Sequence, residues 1–458
     1  MQSVWQKYIN NSPSGRRGGT AGDGVGNQEL DTVIVGGGIA GIMCAYMLSQ
    51  NGHKVTLIEA HKLLSGVTSH TTAHVSAFQP VYQDIPTNKK RRLYFQSQIN
   101  AVEGIAKLVS ELKIDCDFKR ADSWVFAQSD RDVPDLKKEY KVLRKFHAPV
   151  EYHGSRQMAI GTYPAIRLNN QAVFNPIKFC QGILSVMAKE VPILENTRIK
   201  KVCLMRKTLK TEKETFKYKR VIFATGFPIV NIRGLYAFKM YKSFSYSICA
   251  QTETKLGAQF GEIAKDGFTY RDSTDGIIIG GLDHRTGRWK CKKYFDILKE
   301  ESKRLGGKVA HEWCANDCMT FDHVPYAGRM FCLCRSAFMI SGFNKWGMAN
   351  AYVGAELVAN LVDGERNRYK KIFKPTRILH ISVWPAFFWN FLQDGLGLLA
   401  GLFSSKKRRC PHMGCRLKFN PNTQTYDCPC HGSRFTENGD IIVSPAVDAN
   451  EVLARKNP

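Results

Sequence analysis

No stretch of the chain supplies the about 20 uninterrupted apolar residues that a membrane-spanning helix needs. The most apolar segment, Ile378 to Phe403, is rich in Trp, Phe and Leu but carries Pro385, Asn390, Gln393 and Asp394. The N-terminal residues lack the continuous apolar core of a secretory signal, so export is not expected. A secreted-type cysteine framework is missing too. Of 14 cysteines, all but the last four are scattered from Cys44 to Cys334, the pattern of reduced, half-buried small hydrophobes. Cys314 with Cys318 and Cys332 with Cys334 are spaced like metal or redox pairs, but no neighbouring pattern completes a site. A reducing, cytoplasmic setting is the expectation. No nucleic-acid-binding motif accompanies the basic residues, and aromatics are not interleaved with them as stacking platforms, so nucleic acid is not an expected partner. No internal repeat is apparent.

What is present is a chain of 458 residues, long enough for two or three domains with a large buried core. A hydrophobic fraction of 43% with 11% aromatics excludes global disorder. Residues 1–29 contain a Gly/Ser/Arg-rich run, Ser12 to Gly26, without apolar periodicity, and read as a flexible polar tail. The net charge is +26, with basic runs at Lys89 to Arg92, Lys200 to Arg220 and Lys406 to Arg409. Each run reads first as a solvated face. Together they favour acidic partners or anionic surfaces.

Asp31 to Val35 is a short apolar run that leads into Gly36-Gly-Gly38-Ile-Ala-Gly41, a helical pattern to Gln50, and a second apolar run ending at Glu59. This is strand, glycine turn, helix, strand. In such a turn Gly36 permits the tight bend, Gly38 lets backbone approach a pyrophosphate, and Gly41 allows close packing of helix on strand. The helix N-terminus then faces the phosphates. Glu59 stands where a ribose-binding carboxylate belongs. Further on, the run from Lys217 ends in Ala224-Thr225-Gly226, and Phe338 to Met348 reads as strand, glycine loop and helix start, with Gly342, Gly347 and Met348 at the turn. Backbone N–H groups there can be aimed at an electron-rich ligand group, and the glycine motif by itself does not separate FAD from NAD.

Near the end, Cys410-Pro-His412-Met-Gly-Cys415 and Cys428-Pro-Cys430-His431-Gly-Ser433 place four cysteines and two histidines in one window. A structural zinc site also pairs Cys and His, but gives no reason for a Gly-Ser after the last histidine. The window resembles the Rieske iron–sulfur motif of the disulfide-containing kind. The resemblance implies a [2Fe–2S] cluster held by Cys410, His412, Cys428 and His431, with the two imidazoles raising its potential above that of an all-cysteine cluster. It also implies a Cys415–Cys430 disulfide and a hydrogen bond from Ser433 to the cluster. Phe435 stands where high-potential relatives have a tyrosine, which implies the lower part of the Rieske range, about −150 to +300 mV.

The dinucleotide segments together resemble the D-amino-acid-oxidase-like family of FAD-dependent oxidoreductases over about residues 31–377, in the branch that carries a Rieske tail. The strand ending in Ala224-Thr225-Gly226 resembles the second FAD signature. Branch-like stretches include His70-Thr-Thr-Ala-His74, Gln171 to Pro176, Gly280 to His284 and Trp313 to Asp317. The implied fold class is α/β, a Rossmann-type FAD domain interleaved with an antiparallel-sheet substrate domain, plus a small C-terminal Rieske-type β module. FAD parts would lie at about 30–80, 166–231 and 323–377, and substrate parts at about 81–165 and 232–322. Residues 378–405 would be an apolar helical connector and 406–458 the Rieske module. The connector is expected to lie buried between domains, because a module of about 50 residues cannot bury enough to stand alone. An interfacial helix on a membrane surface is the less favoured alternative.

The family implies hydride removal from a carbon bearing an amine. Its amino-acid-oxidising members grip the substrate carboxylate with arginine and tyrosine, yet no arginine stands near Asn316-Asp317. Tyr270 and Arg271 are substitute candidates, the alternative being a surface pair. His70, Thr71 and Thr72 would lie beside the flavin, His70 more as a structural hydrogen-bonder than as a base. The expected function is an FAD-dependent dehydrogenase of a small amine or amino compound, passing electrons through the cluster to an external acceptor such as an acidic carrier protein. The exposed histidines His412 and His431 would be the exit. The competing readings are an oxidase using O₂ with a structural or redox-sensing cluster, and a non-catalytic electron-transfer or redox-switch protein. No 2-His-1-carboxylate iron domain, as a Rieske oxygenase would need, has room beside the FAD part.

Overall fold

The structure is a computed structural model that describes residues 2–11, 29–231, 234–289, 293–332, 334–404 and 409–449. Its first layer is a mostly parallel sheet in the order Tyr326–Arg329, Ala337–Ser341, Thr215–Gly226, Glu29–Val35, Val55–Ile58, Ile193–Leu194. The strand Glu29–Val35 pairs in parallel with both Thr215–Gly226 and Val55–Ile58. Val33 to Val35, Val55 to Ile58 and Val221 to Phe223 are covered on both faces and carry the apolar runs of these strands, while the first half of Thr215–Gly226 alternates buried and exposed residues. The helix Ile39–Gln50 is apolar nearly all round because it is enclosed by the sheet and by the helices Pro176–Met187 and Gly347–Asp363. Asn175 starts the first of these by accepting from the N–H groups of Ile177 and Lys178, with Pro176 at the first helical position.

The second sheet has nine strands and is built around Lys308–Thr320, Met240–Gln251 and Gly276–Arg285 at one end and Lys119–Phe126 with Gly161–Val173 at the other. It is antiparallel except where Ala258–Glu262 runs parallel to Lys119–Phe126. The strand Gly161–Val173 lies wholly in this sheet, and His74–Val75 pairs with its end. The substrate-side sheet therefore continues to Val173 rather than ending at 165. The helix Asn88–Glu111, in the stretch assigned to the substrate side, packs instead on Gly347–Asp363 of the nucleotide side. Boundaries drawn in loops from sequence miss this, because one long strand and one long helix cross over.

The polar-tail expectation fails for the first residues. Val4 and Trp5 are buried, Trp5 Nε1 donates to Thr71 O at 2.8 Å, and the Ser3 hydroxyl donates to Ser69 O. Two apolar side chains are enough to anchor the segment, and a composition averaged over 29 residues conceals them. The Gly/Ser/Arg-rich run itself lies outside the described residues.

The C-terminal module is a four-stranded antiparallel sheet, Lys418–Asn420, Thr425–Asp427, Arg434–Phe435 and Ile441–Val443. Among the described residues its buried core is Cys410, Cys415, Leu417, Cys428, Cys430, Phe435 and Ala446. Support comes from the connector helix, Trp384–Leu402, in an orientation the sequence did not suggest. Its polar residues point inward, Asn390 2% and Asp394 1% exposed, and bind Arg285. Two of its glycines lie on the ligand loops: a Cβ on Gly397 would meet Cys430 Sγ at 2.6 Å, and one on Gly401 would overlap the Gly414 carbonyl. Most of its apolar side chains face outward, so burial between domains does not hold for that face. Gly401→Val is expected to lower stability by about 1–3 kcal/mol, the cost of forcing bulk into a packed contact. Gly395, with open space around its Cβ position, should accept alanine with no loss. Urea unfolding of the two variants checks the contrast.

Candidate functional site

The mouth of the nucleotide cradle is set by its glycines. Gly36 has φ +117°, and a Cβ there would meet Ala224 O at 2.5 Å. A Cβ on Gly41 would overlap the Gly36 carbonyl, so helix and strand touch through this pair. Gly38 differs. Its nearest neighbour would be Thr68 Oγ1 at 3.1 Å, so the space over its backbone is left open. Glu59 follows the strand Val55–Ile58, and its carboxylate accepts from Gly37 N at 2.6 Å and His61 N at 2.9 Å. Those bonds hold the side chain beside the glycine turn while leaving lone pairs on both oxygens.

Ala224, Thr225 and Gly226 end the neighbouring strand, Thr225 Oγ1 donating to Phe227 O at 2.8 Å. The loop from Gly342 to Gly347 lies next to them, with the Ser341 hydroxyl on Gly226 O. Asn344 and Lys345 both have positive φ, a conformation that costs free energy and persists only when its surroundings impose it. Asn344 supplies that, its Oδ1 accepting from Thr320 N at 2.7 Å and its Nδ2 donating to Gly342 O at 2.9 Å. Met348 is buried in the first turn of the following helix. Beside the loop, Lys345 pairs with Asp283, and burial raises the Asp317 carboxyl to about 6 against the opposing pull of Lys345.

Thr71 and Thr72 are occupied locally: Thr71 Oγ1 accepts from Ala73 N at 2.9 Å, and Thr72 Oγ1 lies 3.0 Å from His74 Nδ1. His70 has Nδ1 2.9 Å from Gly66 O and Nε2 3.2 Å from Gln6 Nε2. Burial lowers its pKa. Tyr270 and Arg271 are neither a substrate grip nor a surface pair. Tyr270 donates to Glu301 at 2.8 Å, while the buried Arg271 guanidinium is used by the carbonyls of Thr72, Ala73, Phe174 and Asp272. Adjacent strand residues point to opposite faces, so each meets a different partner remote in sequence.

The two C-terminal ligand loops are brought together by glycine turns at Gly414 (φ +86°) and Gly432 (φ +73°) and by the Cys415–Cys430 disulfide. The sulfurs of Cys415, Cys428 and Cys430 lie within 4.8 Å of one another, which puts the bridge against the Cys428 thiol. Cys410 and Cys428 are both buried. The rings of His412 and His431 are 5.0 Å apart, and the Nδ1 atom of each is buried without a hydrogen-bond partner. Nε2 of His412 lies 3.0 Å from Asn231 Nδ2 and 3.3 Å from Asn231 Oδ1, and an N–H on Nε2 accepted by Oδ1 leaves the Nδ1 lone pair free. Burial holds His412 at about 4 and His431 at about 3, the latter aided by His412 and Arg285, so both stay neutral as metal ligation requires. Ser433 Oγ accepts from Ala446 N at 3.0 Å and is turned to the Cys410 sulfur. Two buried thiols and an orphaned Nδ1 on each of the two imidazoles are a donor set that fits a [2Fe–2S] cluster.

The histidines are not an exposed exit. His431 is buried against Phe227, ring centroids 6.1 Å apart, and His412 is half-buried on Asn231. Phe227 and Asn231 follow directly on Ala224-Thr225-Gly226, so the histidine side faces the nucleotide domain. The residues that seat the module were not singled out in the sequence. They are Arg434 on the Phe244 ring, Lys242 on Ser444 O, Asn316 on Gly432 O and Arg285 on Cys430 O. Cys314 and Cys318 are free, and Cys314 Sγ lies 3.7 Å from the Arg434 guanidinium.

A profile of the FAD dependent oxidoreductase family matches residues 31–361, most of the chain. The chain belongs to the FAD-dependent oxidoreductase family. A Rieske [2Fe-2S] domain profile matches residues 400–454. This oxidoreductase is 28% identical over 471 residues to a Bacillus subtilis (strain 168) protein described as a Rieske 2Fe-2S iron–sulfur protein, YhfW, with 92% of each chain covered. Among solved structures it is similar to glycine oxidase from Geobacillus kaustophilus (TM-score 0.65, 17% identity, 76% of this chain and 99% of that one). It is also similar to L-proline dehydrogenase from P. horikoshii (TM-score 0.64, 20% identity, 76% and 98%). At these identities the likeness shows the fold alone. FAD and a Rieske cluster are thus the cofactors of this oxidoreductase, and the open space at Gly38 and the orphaned Nδ1 atoms are the features of its own fold that fit them.

Proposed function

We propose that this oxidoreductase is a dehydrogenase of a small amine or amino compound that passes electrons through its cluster to an external one-electron acceptor. The observation that carries the reading is the seating of His412 and His431 on Asn231 and Phe227, the residues directly after the FAD-signature strand. Bound flavin supplies two-electron acceptance with one-electron release, and the cluster a one-electron carrier. In this reading Gly36, Gly38 and Gly41 admit the pyrophosphate, Glu59 accepts from the ribose, and the Gly342–Met348 backbone faces the flavin ring. Cys410, His412, Cys428 and His431 hold the iron, and Ser433 donates to the cluster. Asn231 keeps His412 in the ligating tautomer. The net charge of +26 supports an acidic carrier as the acceptor.

The charged groups beside the Gly342–Gly347 loop support an amine substrate without a carboxylate. Asp317 is there, and Asp283 is there paired with Lys345, while Arg271, Arg285, Arg377 and Arg434 are each bound to protein partners. An anaerobic screen of amines, amino acids and hydroxy acids for flavin bleaching tests this. Amines without a carboxylate should bleach best, and bleaching by hydroxy acids alone would overturn the substrate class. Glu59→Ala should weaken FAD binding by about 1.5–3 kcal/mol, the worth of hydrogen bonds to a charged group. Unchanged affinity in an FAD titration would place the ribose elsewhere.

A further inference from the structure

The connector helix is inside out for a soluble protein. Its polar residues Asn390 and Asp394 are buried on Arg285, while Trp384, Phe388, Trp389, Leu392, Leu396 and Leu399 stand at the surface, Trp389 62% exposed. The apolar face continues through Leu402 at 65% and Phe403 at 91%, and Ile378 and Ile381 precede it. Among the described residues nothing covers it. Nineteen residues at 1.5 Å each give a face about 28 Å long. An exposed apolar patch of that extent marks an interaction site.

Charge around the patch says which kind. A cavity of 820 Å³ runs beside the helix, floored by Trp289, Leu417 and Pro429 and edged by Arg288, Arg416 and Lys418. In sequence the helix is followed directly by Lys406 to Arg409. An apolar face with tryptophans, bordered by Lys and Arg, is the pattern of a helix that lies in the interface of a bilayer. Basic residues near an anionic leaflet add attraction that salt screens. A second copy of the chain would bring the same basic border against itself, on a molecule already at +26. No helix among the described residues is long and apolar enough to cross a membrane, and the Arg285 bonds hold this one flat on the protein.

We propose that the outward face of Trp384–Leu402, with the basic-edged cavity beside it, docks this oxidoreductase on the surface of an anionic lipid bilayer. Apolar side chains enter the acyl boundary, and arginines and lysines meet lipid phosphates. Docking in this way lays the Cys428–Cys430 loop, reached through Pro429 at the cavity floor, beside the membrane. The proposal rests on the helix and its border alone and stands whatever the substrate proves to be.

The test is flotation of the full-length holoprotein with phosphatidylcholine vesicles that contain phosphatidylglycerol, against vesicles of phosphatidylcholine alone. The protein should float with the anionic vesicles, less so as salt is raised, and stay behind with the neutral ones. Trp389→Glu and Leu396→Glu, each at an exposed site that leaves the Arg285 contacts intact, should each weaken binding by about tenfold or more, from the lost burial of a large apolar side chain. Unchanged cluster absorbance and melting temperature in those variants would show that the fold is kept. Wild-type protein that ignores both vesicle types overturns the proposal, as does equal flotation of the glutamate variants. So does a dimer in light scattering that the same substitutions dissociate while vesicle binding is absent.

Discussion

Gly38→Val should yield a folded protein that carries no flavin. Gly38 precedes the helix Ile39–Gln50 with φ −84°, a conformation open to any residue. The nearest chain atom to an added Cβ is Thr68 Oγ1 at 3.1 Å, so the polypeptide can take the side chain with a small shift. A pyrophosphate cannot, because the isopropyl group fills the space in which backbone N–H groups approach it. Gly41→Val makes the contrast: its Cβ would overlap the Gly36 carbonyl and should prevent folding. The check is flavin absorbance of the purified variant, with its melting temperature compared to flavin-stripped wild type, since bound FAD itself raises stability. Full retention of FAD by Gly38→Val would mean that the dinucleotide does not cross this turn.

Arg434→Met should cost the protein its cluster while leaving FAD in place. Arg434 is 5% exposed, and its Nε donates to Asp427 Oδ1 at 3.0 Å. Its guanidinium lies 4.4 Å from the Phe244 ring of the second sheet. It is thus both a pair within the module and a bolt to its neighbour. Removing one partner of a buried ion pair leaves the other charge uncompensated, at about 3–5 kcal/mol. Asp427 has no solvent exposure to relieve that, and its remaining donors among the described residues are Asn420 and Thr425. A module whose core is four cysteines and three other side chains cannot absorb such a loss. Iron content and the Rieske absorbance report it, and Arg434→Met with Asp427→Leu should recover part of the stability. A single variant with full cluster and an unchanged unfolding midpoint would show that the module does not depend on this pair.

What could be read from the sequence was what is local in it. The glycine turn, the acidic residue at the end of the second strand and the two ligand loops each occupy a few adjacent positions whose chemistry constrains the backbone directly. The module's seating could not be read that way. Arg285 meets Asn390 and Asp394 across more than a hundred residues, and Asn231 meets His412 across 181. For the same reason Asn390 and Asp394 read as interruptions of an apolar helix, when they are its inward face. Tyr270 and Arg271 read as a candidate grip because their distant partners, Glu301 and the carbonyls of Thr72, Ala73 and Phe174, are invisible along the chain. Trp5 was hidden by the polar residues around it. The FAD side and the cluster were each legible; the contact between them, which sends the histidines inward, was not.

That contact is the core of the functional reading, and one anaerobic stopped-flow experiment on the full-length protein tests it. An amine that bleaches the flavin is mixed in, and flavin and cluster bands are followed separately in the absence of any other acceptor. The relay predicts that flavin absorbance falls first and then partly recovers as the cluster bands bleach, with O₂ required for neither phase. Flavin that stays fully reduced beside an unchanged oxidised cluster, and recovers only when O₂ is admitted, would contradict it.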